Sequence, residues 1–381
     1  MSLKSYLTPR IAERIFSQGS LDRRRAKTER ARVKSGEPHK VEFFHDPSDP
    51  YSQLLQQALP AFQTRYKIEL LTHIVGPPDD GAVPEREALT AYAKTDAMRL
   101  AKKAGIDFAL EDRPAAANTD VATNAADARL KQLGHYLGGT LYYGGEWYWG
   151  LDRLHYLEDR LAALCVQNNN TAAPLYSPPT VPSGSGDTGA ELHWYLSFRS
   201  PYTAIVRDRV KALADAYGAE LKLRFVLPMV MRGLPVPPAK SKYIPLDTAR
   251  EARRLGVPFG RIIDPVGKPV EMGYSLLPWA QEQGCGYDYV QSWLSGTWAE
   301  GIDAGSLKGL RIIVERAGLD WNAAKDIVGN DDWRSIAEAN RAEMMDRGIW
   351  GVPSFRVGET ITWGQDRLWV AEHALQKLTT A

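Results

Sequence analysis

Residues 192–206 read LHWYLSFRSPYTAIV, and this stretch decides the fold of the chain. Apolar residues alternate through its first five positions, which is typical of a β-strand with one buried face. The Pro-Tyr pair that follows begins a helical pattern, because proline is favoured in the first turn of a helix, where its missing N–H costs nothing. Residues 41–55, VEFFHDPSDPYSQLL, show the same order of strand and helix. The chain therefore contains the same opening twice.

The two halves of the chain also end alike. Residues 355–375 read FRVGETITWGQDRLWVAEHAL, and residues 141–161 read LYYGGEWYWGLDRLHYLEDRL. Each ending predicts a strand, a glycine-containing turn, a second strand and a helix that begins at Asp-Arg-Leu. Because the beginnings and endings match in the same order, we predict a tandem duplication.

Between the halves lies QNNNTAAPLYSPPTVPSGSGDTGA, which has no face to bury and is interpreted as a linker. The predicted parts are a basic helical arm at 1–36, a first domain at 37–165, the linker at 166–190 and a second domain at 191–381. The arm is interpreted as solvated, with a docking or nucleic-acid segment as the alternative. The second domain has the longer middle section, with helical patterns at 247–255, 286–298, 306–317 and 332–347. This order predicts an α/β fold in which helices cover a mixed sheet.

The composition, 44% hydrophobic and 24% charged, indicates a globular protein with a sizeable core. A net charge of +1 gives no electrostatic reason to expect nucleic acid or a membrane as a partner. No signal-peptide core opens the sequence, and no apolar stretch approaches the length of a membrane span. Cys165 and Cys285 form no CxxC pair, which with the absent leader predicts a cytoplasmic protein. The histidines lack i, i+4 pairing or a nearby cysteine, which predicts no metal site.

Two short motifs of the second half contain proline. Ser200 precedes Pro201 at the N-cap of the predicted helix, where free amides and the helix dipole stabilise an anion such as a thiolate. Serine is equally common as an N-cap without any function. Pro353, after Val352, enters a strand at a place suited to a cis peptide bond, which would free neighbouring main-chain groups to pair with an extended peptide. An edge-strand proline is the alternative.

A third motif, Trp363-Gly364-Gln365-Asp366-Arg367, opens the last helix. An aspartate at this position ordinarily caps the helix. The Asp366 carboxylate is also suited to accept the ammonium group of a ligand, while Gln365 or the helix amides receive the ligand's carboxylate. Each motif alone is weak evidence for a ligand site, whereas the occurrence of all three in this order within one half is a specific signal.

These three motifs, in this order, resemble the DsbA-type superfamily, whose members have a thioredoxin fold. More narrowly, the second half is similar to the cysteine-free branch, the 2-hydroxychromene-2-carboxylate isomerases and kappa-class glutathione transferases. Further segments that support this resemblance are Pro237-Pro238-Ala239-Lys240 with Tyr243 and Asp247, Gly256-Val257-Pro258-Phe259, and Trp298-Ala299-Glu300-Gly301. The resemblance covers nearly all of residues 191–378. It implies two thioredoxin-like α/β domains, the second with a large helical insertion.

The resemblance also implies a glutathione site. The residues that it assigns to this site are Ser200, Lys240, Val352, Pro353, Gln365, Asp366 and Arg367. Ser200 would be the catalytic residue facing the glutathione sulfur, and the main chain of Val352 would pair with the peptide. Asp366 would bind the γ-glutamyl end, and Lys240 would line the site. The family often has an asparagine before that lysine, but none occurs from Val226 to Lys240.

The first half departs from this pattern at both critical positions. Asp49 stands where Ser200 stands, and Gly139 falls where Pro353 falls. Because a carboxylate at the helix start would repel a thiolate, residues 37–165 are predicted to be a degenerate thioredoxin-like domain without its own glutathione site. Its predicted role is packing, in an intrachain pseudo-dimer or in a homodimer.

We therefore expect a glutathione-dependent isomerase or transferase that acts on a small aromatic or otherwise electrophilic compound. One alternative is a non-catalytic thioredoxin-fold module that holds a protein partner. A disulfide oxidoreductase is a second alternative, which the absence of a CxxC pair disfavours.

Overall fold

The computed structural model describes residues 3–113, 121–168 and 174–379. Residues 169–173 of the predicted linker and the ends of the predicted arm and second domain, residues 1–2 and 380–381, lie outside the described residues. The chain divides into two compact units. The N-terminal unit comprises Leu21–Thr180 and Val236–Tyr243, and the C-terminal unit comprises Met1–Ser20, Val181–Pro235 and Ile244–Ala381.

The N-terminal unit is built on a four-stranded mixed sheet in the order β2-β1-β3-β4. The strands are β1 (Lys40–His45), β2 (Glu69–Ile74), β3 (Thr140–Tyr143) and β4 (Glu146–Trp149). Strands β1 and β2 are parallel, and the other neighbours are antiparallel. The helices of this stretch of chain are α1 (Leu3–Phe16), α2 (Gln18–Ser35), α3 (Pro50–Arg65), α4 (Arg86–Ala104), α5 (Val121–Leu133) and α6 (Leu154–Ala163), with a 3-10 turn at Leu151–Arg153. Of these, α1 belongs to the C-terminal unit.

The C-terminal unit repeats this plan, with a mixed sheet in the order β6-β5-β7-β8. Its strands are β5 (Glu191–Leu196), β6 (Glu220–Phe225), β7 (Ser354–Val357) and β8 (Thr360–Trp363). Helix α7 (Pro201–Ala216) follows β5, and a 3-10 turn (Met229–Arg232) follows β6. Strands β5 and β6 are parallel, and β7 is antiparallel to both of its neighbours. The prediction of two thioredoxin-like α/β domains is confirmed.

A block of helices separates β6 from β7, as predicted. Its members are α8 (Pro238–Arg254), α9 (Lys268–Glu282), α10 (Gly286–Ser295), a π-helical turn (Gly296–Glu300), α11 (Leu307–Arg316), α12 (Trp321–Ile327) and α13 (Trp333–Asp346); α14 (Leu368–Thr379) ends the described chain. The four predicted helical segments fall on α8, α10, α11 and α13, which confirms the helical character of the block, although the segment 247–255 covers only the second half of α8. Helices α9 and α12 were not predicted.

The strands and helices form for the reasons that the sequence suggested. Leu192, Trp194 and Leu196 alternate along β5 and are fully buried in the main core of the C-terminal unit. Helix α7 begins at Pro201, whose missing N–H needs no partner there. Burial of these apolar side chains stabilises the sheet against its helices, at roughly 25 cal/mol per Å² of apolar surface.

The two units also match in detail. Lys40 pairs with Glu69 in the first sheet as Glu191 pairs with Glu220 in the second. The hydroxyl of Tyr51 donates to Asp96 at 2.9 Å, and the hydroxyl of Tyr202 donates to Asp247 at 2.8 Å, over the same sequence separation of 45 residues. Corresponding residues of the units can therefore be identified one by one. Across the described residues, no helix combines the length and apolar character that crossing a membrane requires.

Candidate functional site

The first turn of α7 carries Ser200, the predicted catalytic residue. Ser200 has extended backbone, with φ −96° and ψ 114°, and its Oγ accepts a hydrogen bond from the N–H of Thr203 at 3.2 Å. The residue is half-buried and lies at the positive end of a 16-residue helix. A hydroxyl is thus held at a place where the helix stabilises a neighbouring anion.

The loop that leads into Ser200 is fixed by side chains of the helical block. The N–H of Phe198 donates to the Tyr274 hydroxyl at 3.1 Å, and the indole N–H of Trp298 donates to the carbonyl of Phe198 at 3.0 Å. The Phe198 ring stacks on Trp293 with centroids 4.1 Å apart. Since both main-chain polar groups of buried Phe198 are satisfied in this way, the block holds the loop in place.

The loop before β7 contains the predicted cis-proline. The Val352–Pro353 peptide bond is cis, as predicted, and Pro353 is buried. The Ser200 Oγ donates to the carbonyl of Val352 over 3.4 Å. A Cβ added to Gly351 would come within 2.6 Å of the Trp363 indole nitrogen, so glycine is required for this close approach. Three predicted site residues, Ser200, Val352 and Pro353, are therefore brought together.

The start of the last helix forms a tight corner around Asp366. Gly364 has φ +115°, in a region that favours glycine, and its N–H donates to the carbonyl of Pro353 at 2.9 Å. The Asp366 side chain is 12% exposed, and its Oδ1 lies 3.3 Å from Nη1 of Arg367. The carboxylate thus keeps some access to solvent beside a buried guanidinium. It is suited to bind a cation from outside.

Gln365 points the other way, into the protein. It is 2% exposed, and its Oε1 and main-chain carbonyl both accept hydrogen bonds from the guanidinium of Arg209. Its Nε2 donates to Oε2 of Glu251 at 2.8 Å. Its side-chain amide is therefore engaged in contacts within the C-terminal unit.

Lys240 falls in the other unit. Residues Val236–Tyr243 cluster with the N-terminal unit, and the Nζ of Lys240 donates to the carbonyl of Ala82 at 2.8 Å. Burial lowers the pKa of this amine to about 8. The structure therefore does not group Lys240 with Ser200, Val352 and Asp366 in one unit.

The corresponding helix start in the N-terminal unit carries an acid. The carboxylate of Asp49 caps α3 by accepting from the N–H groups of Tyr51 and Ser52, at 3.2 and 3.1 Å. Burial, followed by the neighbouring charge of Asp46, raises the pKa of Asp49 to about 7. A Cβ on Gly139 would lie 3.0 Å from Oδ2 of Asp49, so glycine leaves room for the acid. Above neutral pH, this helix start presents a negative charge to any incoming anion.

Several contributors to the site were missed by sequence reasoning. Tyr274, Arg209 and Glu251 lie within helices whose patterns explain them as ordinary surface or core residues. Trp298 was quoted as part of a motif, but its hydrogen bond to the loop was not foreseen. Within the described part of the chain, no group of three or more His, Cys, Asp and Glu side chains is arranged to hold a metal ion.

Comparisons with known proteins concern the second half. The family model of the DSBA-like thioredoxin domain matches residues 191–376. A 2-hydroxychromene-2-carboxylate isomerase of Pseudomonas putida is 26% identical over 199 residues, which cover 49% of this chain and 95% of that protein. The isomerase of Pseudomonas sp. strain C18 is 25% identical, covering 48% of this chain and 89% of its own length.

Among solved structures, a 2-hydroxychromene-2-carboxylate isomerase matches with a TM-score of 0.42 and 22% identity. The match covers 49% of this chain and 95% of that structure. The matching segment defined by the family model begins with β5 and ends within α14. By the family model, residues 191–376 of this chain are a DsbA-like thioredoxin domain.

Proposed function

We propose that the C-terminal unit is a glutathione-dependent isomerase or transferase that acts on a small aromatic or otherwise electrophilic compound. The observation that carries this proposal is the placement of the Ser200 hydroxyl at the start of α7, 3.4 Å from the carbonyl of Val352. A serine here, where a redox-active relative would need a cysteine, suits a thiol that is brought by the ligand. The similarity to proteins named 2-hydroxychromene-2-carboxylate isomerase supports the same conclusion.

The chemistry follows from the helix start. A free thiol has a pKa near 8.5, and a helix N-terminus with a hydroxyl donor lowers it by stabilising the thiolate. When the thiol binds, the Ser200 hydroxyl turns its single proton from the carbonyl of Val352 to the sulfur, while the α7 dipole favours the negative charge of the sulfur. The thiol proton passes to solvent, and the thiolate adds to an electron-poor carbon of the substrate.

Isomerase and transferase activities share this first step. After addition, the electron pair of the attacked double bond rests on the substrate, and that bond becomes free to rotate. In an isomerase, the new S–C bond then breaks, the double bond reforms in the rotated geometry and glutathione is released. In a transferase, the substrate takes up a proton or loses a leaving group, and the S–C bond remains.

The remaining predicted residues would hold glutathione. The main chain at Val352, oriented by its cis bond to Pro353, pairs with the peptide of glutathione, and the Asp366 carboxylate accepts its γ-glutamyl ammonium group. Arg367 balances the charge of Asp366, and Gln365 supports the corner from behind. For Lys240, which belongs to the N-terminal unit, a role toward glutathione is implied by the family resemblance alone.

Glutathione binding by calorimetry tests this proposal, with Asp366→Asn and Asp152→Asn as a matched pair. Asp152 holds the corresponding position in the N-terminal unit, so its substitution should leave binding unchanged, whereas Asp366→Asn should weaken it about tenfold or more. Absence of any binding by the native chain at millimolar glutathione would refute the enzyme proposal. The alternative of a module that holds a protein partner would then gain support.

A further inference from the structure

A buried polar network lies directly behind the Gly364–Arg367 corner. The guanidinium of Arg209 on α7 donates to both the Oε1 and the main-chain carbonyl of Gln365. Glu251 on α8 is fully buried and accepts from Nε2 of Gln365 at 2.8 Å. Arg254 pairs with the same carboxylate at 3.0 Å. Gln365 is therefore held from both sides by two charged residues of opposite sign, next to the residue that presents a carboxylate.

The positions in the N-terminal unit that correspond to Arg209, Glu251 and Gln365 lack this polar network. Helices α3 and α7 both begin with Pro-Tyr and have 16 residues, so Ala58 corresponds to Arg209. Helices α4 and α8 are both followed by a left-handed glycine, Gly105 and Gly256, so Leu100 corresponds to Glu251. Leu151 follows Gly150 as Gln365 follows Gly364, so Leu151 corresponds to Gln365.

All three counterparts in the N-terminal unit are apolar and buried, with Ala58, Leu100 and Leu151 at most 8% exposed. Burying charged groups costs free energy, and replacing a buried ion pair by well-packed apolar side chains is often neutral or stabilising. The same fold therefore packs these positions without charge. The charged residues in the C-terminal unit require an explanation other than stability.

We propose that Arg209 and Glu251 are positioning residues that hold Gln365 rigid and thereby aim the Asp366 carboxylate at the ammonium group of a γ-glutamyl thiol. This inference rests on the proposed function, and it assigns to the network the preference for glutathione over a thiol that lacks the γ-glutamyl group. The network contacts no reacting atom. It acts through the geometry of the corner.

The electrostatics agree with this role. Burial lowers the pKa of Arg209 to about 10, while the charges of Glu251 and Asp366 act in the opposite direction, so the guanidinium remains cationic at neutral pH. Its positive charge interacts favourably with the carboxylates of both Glu251 and Asp366.

The test compares the affinity for glutathione with that for cysteinylglycine, which lacks the γ-glutamyl group. The native chain should prefer glutathione by about tenfold or more, because a charge-assisted contact is lost in the shorter thiol. The triple variant Arg209→Ala, Glu251→Leu, Gln365→Leu introduces the residue types of the N-terminal unit and should lose most of this preference. Its affinity for cysteinylglycine should stay within about twofold. Lys211→Ala, on the exposed side of α7, is the control and should keep the full preference.

The single variants Arg209→Lys and Glu251→Gln guard against misfolding of the triple variant. Lysine retains the charge but not the two-point contact with Gln365, so part of the preference should be lost; Glu251→Gln keeps an oxygen acceptor and should retain more of it. A merely structural network would weaken both thiols equally, and that result would overturn the inference while leaving the glutathione proposal intact. If the native chain binds neither thiol, the proposed function fails, and the inference fails with it.

Discussion

The hydroxyl oxygen of Ser200 lies 3.4 Å from the carbonyl oxygen of Val352, although 152 residues separate them in sequence. The start of α7 and the loop before β7 therefore meet at one hydroxyl. In the N-terminal unit the same junction holds the Asp49 carboxyl against Gly139. The two units thus present a neutral donor and an ionisable acid at corresponding places.

Replacing Ser200 by alanine separates its structural role from its chemical one. Ser200→Ala removes an N-cap and should lower the free energy of unfolding by about 1 kcal/mol. It should also raise the pKa of bound glutathione, as measured by the ultraviolet absorbance of the thiolate. Ser306→Ala removes a comparable cap from α11, where the serine accepts from Gly309 at 3.1 Å, and should cost similar stability without changing the thiol pKa. Equal thiol pKa values in both variants would contradict a role for Ser200 in activation.

Trp298 should matter for binding more than its stability contribution suggests. Trp298→Phe keeps an aromatic side chain, although a smaller one, and leaves the carbonyl of buried Phe198 without its 3.0 Å donor, at a cost of about 1–2 kcal/mol for the lost hydrogen bond. Because this carbonyl belongs to the loop before Ser200, glutathione affinity should fall as well. Trp333→Phe is the control, since its indole donates to Asn330 at 3.1 Å. Trp333→Phe should lose a similar amount of stability but bind glutathione as the native chain does. Unchanged binding in both variants would contradict the role of the Trp298 hydrogen bond in holding the loop before Ser200.

Asp49 should make the N-terminal unit less stable as the pH rises. Its folded pKa is about 7, above the ordinary value near 4, so its contribution to stability is complete below about pH 4 and is lost as the pH rises through 7. Asp49→Asn keeps an oxygen that can cap α3, and because asparagine does not titrate, the variant does not lose stability as the pH rises through 7. Chemical denaturation followed by hydrogen exchange in α3 should show the variant gaining relative stability of one to a few kcal/mol between about pH 5 and pH 8.

The comparison of native and variant chains is needed because His45 titrates in the opposite direction. Burial lowers the pKa of His45 to about 4, so its contribution falls as the pH drops below 6.5. His45 is present in both proteins and cancels in their difference. A difference between native chain and Asp49→Asn that does not vary with pH would show that the carboxyl is not titrating there.

His193 should make the C-terminal unit sensitive to acid. Burial, followed by the positive charge of Arg356, lowers the pKa of His193, whose Nδ1 accepts from Nε of Arg224 at 3.1 Å. The contribution of neutral His193 to the free energy of unfolding is therefore complete above about pH 6.5. It is lost as the pH falls through the lowered pKa of the folded state. Melting curves at about pH 5 and pH 7.5 should show a smaller shift for His193→Gln than for the native chain. His373→Gln, at an exposed position of α14, should behave like the native chain.

Much of the fold could be predicted because it is encoded locally. The alternation in LHWYL places Trp194 in the core, and the Ser-Pro pair marks the start of α7. These are short-range preferences of the backbone, and they recur in the first half with the same spacing, where Asp49-Pro50 takes the place of the Ser-Pro pair. The confirmed cis bond before Pro353 also followed from a local motif.

The missed features depend on contacts between distant residues. Helix α9 contains Pro278, which interrupts the helical pattern in the sequence. The motif predicts that Gln365 or the helix amides receive a ligand's carboxylate, whereas the amide of Gln365 engages Glu251, 114 residues earlier. Arg209 occupies an ordinary position in the middle of a helix. Nothing in the sequence around these residues indicates such partners, which only the folded chain brings together.

The π-helical turn at Gly296–Glu300 adds a constraint on chain length. Such a turn encloses one more residue per hydrogen-bonded ring than an α-helix does, and so it shifts the direction of every side chain that follows. Trp298 lies inside this turn, and the direction of its indole therefore depends on the number of residues in the turn as well as on which residues they are. Deleting one residue there would rotate the indole away from Phe198 and free the start of α7, with no change at Ser200. In this protein, lengthening or shortening one helix would act on the site as a substitution within it does.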